Sequence, residues 1–309
     1  MKILVTGGAG FIGSALVGRL VGEGHDVTVV DQRPEPVDGA DFILGDLTDQ
    51  VVVDKALGTG PAAVIHLAAA TSVLRSVEAP DDVFRSNVGV TQALLEGCRL
   101  RGVGRFLFAS TNAVVGPWEP TAAITEATPL APLTPYGATK AAAEMLLVAY
   151  RSAYDMATTS LRLTNVYGPG VWVKDGFVSR LMRAARSRSE VVVYGDGGQV
   201  RDYVYLDDVV AAFAAALTGE WPARVIVGAG RSVTALDLLG AVGGVAGSDI
   251  AYRLSDPPAG EMRAVVVQRD LADRLGLGPA TPLEEGLGLT WSAWPDPDPG
   301  PRAPLRPRP

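Results

Sequence analysis

An α/β fold with a doubly wound parallel sheet is predicted by three features of the sequence. The chain of 309 residues is 48% hydrophobic and 20% charged, which is enough for one large domain or two coupled ones. A short apolar strand, Lys2–Thr6, is followed by a glycine-rich turn and a helical pattern. Short apolar runs then alternate with helical stretches as far as Leu163, which is typical of parallel strands joined by helices.

The order of these elements can be read along the chain. Further strands are predicted over Asp26–Val30, Phe42–Leu44, Ala63–Leu67, Arg105–Ala109 and Thr158–Leu163. Helices are predicted over Ile12–Glu23, Asp81–Arg101, Pro135–Tyr154, Phe177–Arg186 and Asp207–Leu217.

The regular alternation weakens after about Asn165, which suggests a second region. We expect 1–165 to form the main domain, with 200–230 returning to it. Residues 166–199 and 231–290 are expected to form a smaller, interleaved region. The segment 295–309 is rich in proline with scattered arginine, and such a composition predicts a disordered tail.

Charge and rare residues exclude several classes of protein. The net charge of −7, without a basic run, argues against nucleic acid as a partner. The one cysteine, Cys98, leaves no disulfide within the chain, which fits a reducing cytoplasm. Two histidines are too few for a zinc cage, so no metal is expected. We expect no signal peptide, because the apolar start Met1–Val5 is short and is followed by Thr-Gly-Gly. We also expect no membrane span, because no apolar run approaches about 20 residues.

The glycine-rich turn joins the first predicted strand to the first helix. Gly7, Gly10 and Gly13 would allow a tight turn, a close approach of backbone to a ligand, and close packing of the helix on the sheet. Unpaired N–H groups at the helix start, at Phe11 and Ile12, favour a bound pyrophosphate. A plain strand–turn–helix corner is the competing interpretation of the turn alone.

Asp31 decides between these interpretations. It ends the second predicted strand, 18 residues after Gly13, where a dinucleotide site has an acid that binds the adenosine ribose. A carboxylate there would repel a 2′-phosphate, so it favours NAD over NADP. Arg33 stands nearby and would weaken that preference unless it is an ordinary solvated loop residue.

Tyr136 and Lys140 stand four residues apart at the start of a predicted helix, so they share one face. A phenol with a pKa near 10 is a poor base at neutral pH. A neighbouring ammonium and a positive nicotinamide would favour the phenolate. The spacing alone also fits a surface Tyr and Lys, and only the preceding glycine turn and acid favour an acid–base pair.

A hydroxyl group stands at the end of the preceding strand. Ser110 or Thr111 could hydrogen-bond the reacting oxygen. A hydroxyl that merely caps the strand end is the simpler interpretation of this segment on its own.

These motifs together resemble the extended short-chain dehydrogenase/reductase family, in particular its NAD-dependent nucleotide-sugar epimerases and dehydratases of the UDP-glucose 4-epimerase kind. The resemblance extends from about Met1 to Leu287. It includes the further motifs Gly45–Leu47, His66–Ala69, Asn87, Leu161–Pro169 and Arg201–Val204. It implies a Rossmann domain that binds NAD and a smaller C-terminal region that binds the substrate.

The resemblance assigns further residues to the cofactor. Asp46 and Leu47 would border the adenine, and Leu67, Ala68 and Ala69 would line the central part of NAD.

It also assigns the catalytic groups. Thr111 takes the position of the family's Ser/Thr, and Tyr136 and Lys140 match the acid–base pair, which also contacts NAD. His66 is interpreted as packing and Asn87 as structural.

On the substrate side, the resemblance implies a UDP- or dTDP-linked sugar. It would be bound by Asn165, Val178, Tyr194, Arg201 and Arg263. A guanidinium at Arg201 suits a diphosphate because it can bind two oxygens at once. Without the resemblance, Arg201 fits a salt bridge with a neighbouring aspartate, and Tyr194 fits an ordinary core aromatic. The resemblance also implies a homodimer formed through the two long helices over 81–101 and 135–154.

Two positions depart from the family's pattern. Pro258 stands where the family often has a phosphate-binding arginine, for which Arg263 could substitute. Val115 stands where the family usually has tyrosine.

Four functions remain open from the sequence, with 4-epimerisation preferred. A 4,6-dehydratase would need an Asp-Glu pair after the threonine, and the chain has Asn112 and Ala113 there. A keto-sugar reductase would consume NAD(P)H, and Asp31 disfavours its NADPH form. A non-catalytic NAD-binding regulator would not need Thr111, Tyr136 and Lys140 together.

Overall fold

A computed structural model describes residues 1–116, 123–256 and 265–302 of the chain. In these ranges the strands are, in chain order, β1 (Lys2–Thr6), β2 (Asp26–Asp31), β3 (Asp41–Leu44), β4 (Ala63–His66), β5 (Arg105–Thr111), β6 (Ala157–Leu163), β7 (Asn165–Tyr167), β8 (Val191–Tyr194), β9 (Val200–Tyr205), β10 (Arg224–Val227), β11 (Ser232–Thr234) and β12 (Tyr252–Ser255).

The helices in the same ranges are α1 (Phe11–Gly22), α2 (Gln50–Leu57), α3 (Val73–Glu78), α4 (Pro80–Phe84), α5 (Val90–Arg101), α6 (Pro135–Tyr154), α7 (Phe177–Ser187), α8 (Leu206–Ala215), α9 (Ala235–Ala246), α10 (Asp270–Arg274) and α11 (Leu283–Ser292). A single π-helical turn, Arg85–Gly89, joins α4 to α5. The long helix predicted over 81–101 therefore exists, with a bulge inside it.

The main sheet has seven strands in the order β10-β6-β5-β4-β1-β2-β3. The pairings from β6 across to β3 are parallel. The order reverses direction at β1, so the helices that connect the strands cover both faces. This confirms the predicted doubly wound α/β fold.

The core explains why these segments form strands and helices. Apart from the edge strand β3, the strands of the main sheet are buried almost throughout: Leu4, Val64 and Phe106 are fully covered. They pack against apolar positions of the helices, such as Leu94 and Leu147. A sheet buried on both faces favours continuous apolar runs, and this is the pattern visible in the sequence.

The chain divides into two compact units. Unit 1 comprises 1–116, 126–163 and 209–226, and unit 2 comprises the described residues within 117–125, 164–208 and 227–309. The segment that returns to unit 1 is shorter than the expected 200–230. The reason is that β9 pairs with β7 and β11 in a separate three-stranded sheet, which keeps 200–208 in unit 2.

The described part of the C-terminal tail contacts unit 2. Asp298 forms an ion pair of 3.0 Å with Arg183, and the Arg302 N–H donates to the Val173 carbonyl at 3.1 Å. The sequence predicts that the tail is disordered from residue 295 onward. As far as Arg302, the structure differs from that expectation. Residues 303–309 lie outside the described ranges.

Candidate active site

The glycine loop between β1 and α1 leaves little space for side chains. Gly7 has φ +71°, and a Cβ there would meet the Ala68 nitrogen at 2.7 Å. A Cβ on Gly13 would meet the Gly7 carbonyl oxygen at 2.2 Å. The loop also closes on itself, because the Gly10 N–H donates to the Gly7 carbonyl at 3.0 Å. Side chains at these positions would overlap with neighbouring backbone atoms and prevent the close contact between the loop and the helix.

The start of α1 offers N–H groups to an anion. Among the described residues, no side chain caps this helix at Gly10, and no acid stands in its first turn. The N–H groups of Phe11 and Ile12 belong to the helix start, where an α-helix leaves its donors unsatisfied. A pyrophosphate therefore fits this loop, with the helix dipole favouring its charge.

Asp31 braces the glycine loop from the end of β2. Its carboxylate accepts the Ala9 N–H at 3.1 Å on one oxygen and the Arg33 N–H at 3.0 Å on the other. Each carboxylate oxygen has a second lone pair, so the group can still accept hydrogen bonds from ribose hydroxyls. In this contact Arg33 donates from its backbone N–H and not from its guanidinium.

A buried hydrogen-bond chain runs behind the segment that starts at Leu67. Thr91 Oγ1 donates to the Asn87 carbonyl at 2.6 Å, so it accepts from His66 Nε2 at 3.1 Å. His66 Nδ1 is then the acceptor for Thr6 Oγ1 at 2.6 Å, and Thr6 Oγ1 in turn accepts the Ala68 N–H at 3.2 Å. The ring is neutral, and burial is the main cause that lowers its pKa to about 3. The interpretation of His66 as a packing residue agrees with this network.

Asn87 lies in the π-helical turn and fixes the far end of the same segment. Its side chain accepts the Ala70 N–H at 2.8 Å and donates to the Ala70 carbonyl at 3.1 Å. It also donates to Thr139 Oγ1 at 3.0 Å, one residue before Lys140. The bulge thus orients an amide that links Ala70 to α6.

The two residues expected near the adenine lie after β3. Leu47 is 7% exposed, and Asp46 accepts the Thr48 N–H at 2.9 Å. Ala69, expected to line the middle of the cofactor, is partly exposed between Ala68 and Ala70.

Thr111, Tyr136 and Lys140 come together in unit 1. Thr111 ends β5, and its side chain is hydrogen-bonded to that of Tyr136. Lys140 is 3% exposed. Its Nζ donates to the Ala109 carbonyl at 2.9 Å and lies 4.4 Å from the centre of the Phe108 ring. Since an ammonium has three donors, Lys140 can bind a further acceptor such as a ribose hydroxyl.

Burial sets the protonation of this pair in the chain alone. It raises the pKa of Tyr136 to about 12, against a smaller lowering by the Thr111 hydrogen bond. It lowers the pKa of Lys140 to about 7, opposed by the charge of Glu144. The lowering of the Tyr136 pKa expected from Lys140 is not present here, so a phenolate requires additional positive charge.

Unit 2 contains a cavity of about 210 Å³. Three of the residues expected to bind substrate line it: Asn165, Tyr194 and Arg201. Asn165 Nδ2 donates to the Asp202 carbonyl at 3.0 Å, and Tyr194 is 37% exposed. The Asp202 carboxylate accepts from Thr164 Oγ1 at 2.7 Å and is fully buried. The cavity thus combines an aromatic ring, an amide and a guanidinium.

Two expected substrate residues are not placed in this cavity. Val178 is 4% exposed and does not line it, because it faces the core side of α7. Arg263, like Pro258, lies outside the described residues. Arg180, which the sequence analysis missed, lines the cavity and pairs with Asp175 at 2.8 Å. Its position three residues after Phe177, one helical turn along α7, was the available signal.

A larger cavity of unit 2, about 650 Å³, is lined by none of the expected residues. Within the described ranges, no cluster of His, Cys, Asp or Glu is arranged to hold a metal ion. Over the same ranges no helix has both the length and the apolar character to cross a bilayer.

These features define an α/β protein with a glycine-rich loop at the start of its first helix and a Thr–Tyr–Lys group in the same unit. The sequence profile of the NAD dependent epimerase/dehydratase family matches residues 3–228. The chain belongs to this family, which is part of the extended short-chain dehydrogenases/reductases, and its cofactor is NAD.

Individual relatives include both kinds of enzyme. The chain is 34% identical over 307 residues to a UDP-glucose 4-epimerase of Mycolicibacterium smegmatis, covering 94% of this chain and 97% of that protein. It is 33% identical over 311 residues to a dTDP-glucose 4,6-dehydratase of Streptomyces niveus, covering 93% and 90%. A crystal structure of Thermotoga maritima UDP-glucose 4-epimerase with UDP-glucose matches with a TM-score of 0.89 at 34% identity, covering 95% and 98%.

Proposed function

We propose that the protein is an NAD-dependent nucleotide-sugar 4-epimerase. The observation that carries the proposal is the sequence at the end of β5, where Thr111 is followed by Asn112 and Ala113. Thr111 Oγ1 donates to the Asn112 side-chain oxygen at 3.3 Å. Neither an amide nor a methyl group transfers a proton, so the elimination step of a 4,6-dehydratase lacks its acid and base.

The roles of the catalytic groups follow from their chemistry. Tyr136 takes the proton of the sugar C4 hydroxyl and later returns it to the same oxygen, while Thr111 hydrogen-bonds that oxygen. Lys140 binds the nicotinamide ribose and adds positive charge beside the phenol. Bound NAD supplies the reversible oxidation at C4 and contributes its own positive charge to the site. Because oxidation is reversed within each turnover, no reductant is consumed.

The remaining cofactor contacts are assigned to the loops of unit 1. The pyrophosphate is held by the N–H groups of Phe11 and Ile12, and the adenosine ribose by Asp31. Asp46 and Leu47 border the adenine. The central part of NAD lies against Leu67, Ala68 and Ala69. This segment is held by hydrogen bonds at Ala68, whose N–H donates to Thr6, and at Ala70, the residue after the segment, whose N–H donates to Asn87.

The substrate is proposed to be a UDP- or dTDP-linked sugar. Tyr194 offers its ring to the base, Arg201 pairs with the diphosphate, and Asn165 donates an amide hydrogen bond. Arg263 is proposed as a second diphosphate ligand. Val178 is buried in α7 and does not line the cavity, so it is not assigned a contact with the substrate.

Arg201→Ala should weaken binding of the nucleotide-sugar and leave NAD binding unchanged. A charge-assisted hydrogen bond contributes about 1.5–3 kcal/mol, so the Kd should rise at least about tenfold. Calorimetry with UDP- and dTDP-sugars measures this. Arg253→Ala is the matched control, since Arg253 is an exposed ion-pair residue that does not line the cavity. Equal sugar affinity in both variants would show that Arg201 has only a structural role.

Asp31 is expected to set the preference for NAD over NADP. Asp31→Asn removes the charge that repels a 2′-phosphate and keeps one of the two oxygens that accept the N–H groups of Ala9 and Arg33. The ratio of the Kd for NADP to the Kd for NAD should decrease by about tenfold or more. Asp26→Asn, at the other end of β2, is the control and should leave this ratio unchanged. An unchanged ratio in Asp31→Asn would assign the preference to another residue.

The assembly is proposed to be a cytoplasmic homodimer. Exposed apolar side chains occur on the two helices that the resemblance assigns to the contact: Leu100 of α5 is 65% exposed and Met145 of α6 is 50% exposed. Light scattering of the purified protein distinguishes a dimer from a monomer. Replacing both residues by lysine should give a monomer that keeps its fold.

Substrate identity is tested by incubating the purified protein with a panel of UDP-, dTDP- and GDP-sugars. NMR of the products should show interconversion of C4 epimers for at least one UDP- or dTDP-sugar. Formation of a 4-keto-6-deoxy sugar would instead establish a dehydratase. Failure to convert any member of the panel, with the sugars still bound, would favour the non-catalytic alternative.

A further inference from the structure

Glu144 is a fully buried acid that the proposed reaction does not use. It lies on α6, one turn after Lys140, and is 0% exposed. Its carboxylate accepts Ser110 Oγ at 2.6 Å, Arg162 Nε at 2.9 Å and Arg162 Nη2 at 2.8 Å. A carboxylate removed from water persists only when it is paired and hydrogen-bonded in this way.

These contacts form a double clamp between α6 and β5. The adjacent residues Ala109 and Ser110 are each bonded to α6: Ala109 through its carbonyl to Lys140, and Ser110 through its hydroxyl to Glu144. Arg162 is paired with Ser110 in the β5–β6 register, so it reaches the same carboxylate from the neighbouring strand. The Glu144 carboxylate thus fixes the distance between β5 and the turn of α6 that carries Lys140, and the rotation of that turn about the helix axis.

The charges around Lys140 give this clamp a second consequence. Burial lowers the Lys140 pKa to about 7, and the negative charge of Glu144 acts against that lowering. His66, which also faces Lys140, is neutral. Behind Glu144 lie Arg162 and Arg224, the latter 3.2 Å from the carboxylate. A neutral residue at 144 would leave the ammonium facing neutral groups and two guanidinium charges.

We propose that Glu144 is a positioning residue for Lys140: its carboxylate clamps the lysine turn of α6 to β5 and places a buried negative charge one helical turn from the amine. The inference rests on the proposed role of Lys140 in binding the nicotinamide ribose and supporting Tyr136. Glu144 touches neither cofactor nor substrate in this account and acts only through the lysine.

The test is a direct titration of Lys140 in the full chain. With ¹³Cε-labelled lysine, NMR follows each amine, and Lys140→Met assigns its signal among those of Lys2, Lys55 and Lys174. Glu144→Gln keeps the shape and removes the charge. The midpoint of Lys140 should fall by about one pH unit or more in this variant, as expected for losing a buried opposite charge. Glu144→Asp should restore the wild-type midpoint.

Ser110→Ala is the matched control, because it removes a hydrogen bond to the carboxylate while both charges remain. It should lower thermal stability without moving the Lys140 midpoint. If Glu144→Gln leaves arginine charge unpaired and does not fold, the comparison is made between Arg162→Met alone and Arg162→Met with Glu144→Gln, which differ only in the Glu144 charge. A Lys140 midpoint that Glu144→Gln fails to lower, in whichever of the two backgrounds folds, overturns the proposal. The titration needs neither NAD nor sugar, so a failure of the proposed epimerase activity leaves it informative.

Discussion

Tyr136→Phe is expected to lower turnover by about 100- to 10,000-fold, the usual contribution of general acid–base catalysis. The substitution removes one oxygen, the atom proposed to take and return the C4 hydroxyl proton. NAD affinity should change little, since the glycine loop and Asp31 hold the cofactor elsewhere. Two quantities are measured in the variant and in the wild type: kcat for the sugar that the panel identifies as the substrate, and the Kd for NAD.

Tyr154→Phe provides the control for this result. Tyr154 ends the same helix, is 51% exposed, and its ring packs on Tyr150. The Tyr154→Phe variant should retain wild-type turnover. If Tyr136→Phe also retains wild-type turnover, Tyr136 is not the acid–base group, whatever the geometry around it.

Gly13→Ala is expected to have the largest effect on NAD binding. The added Cβ would stand 2.2 Å from the Gly7 carbonyl oxygen, a backbone atom that cannot rotate away. The loop must shift to relieve the overlap, which typically costs about 1–3 kcal/mol. The Kd for NAD should therefore rise by about 10- to 100-fold, as measured by calorimetry.

Gly18→Ala on the same helix separates this effect from helix propensity. Nothing lies within 4 Å of a Cβ added at Gly18. The substitution should stabilise the protein by about 1 kcal/mol, because alanine is the better helix former, and leave NAD affinity unchanged. Equal NAD affinity in the two variants would mean that close packing of α1 on the loop is not needed for the cofactor.

The sequence predicted six of the seven strands of the main sheet, all except β10, because apolar runs and glycine turns are local signals. β1 and α6 have the predicted bounds: β1 contains the apolar run Ile3–Val5, and α6 begins after a Thr134 cap with Pro135 in its first turn. In contrast, α2 had no predicted counterpart. Its run of three valines after Gln50 favours a strand, but burial of Val53 and Leu57 in the core overrides that local preference.

What the sequence did not predict depends on contacts between distant segments. The Glu144–Arg162 pair joins residues on different elements, and nothing in their spacing marks them as partners. The π-helical turn that aims Asn87 at Ala70 has no sequence signature either. The same limit applies to protonation, since Lys140 and Tyr136 have pKa values set by burial that only the folded chain reveals.

The central claim is that the net reaction is epimerisation at C4. It is tested most directly with a UDP- or dTDP-sugar that carries deuterium at C4, incubated with the purified protein and no added cofactor. Epimerisation at C4 predicts that both C4 epimers form, that the deuterium stays on C4, and that no NADH appears in solution. Stoichiometric consumption of NADH or NADPH by a 4-keto sugar, without interconversion of the 4-hydroxy epimers, would contradict it and make the protein a reductase.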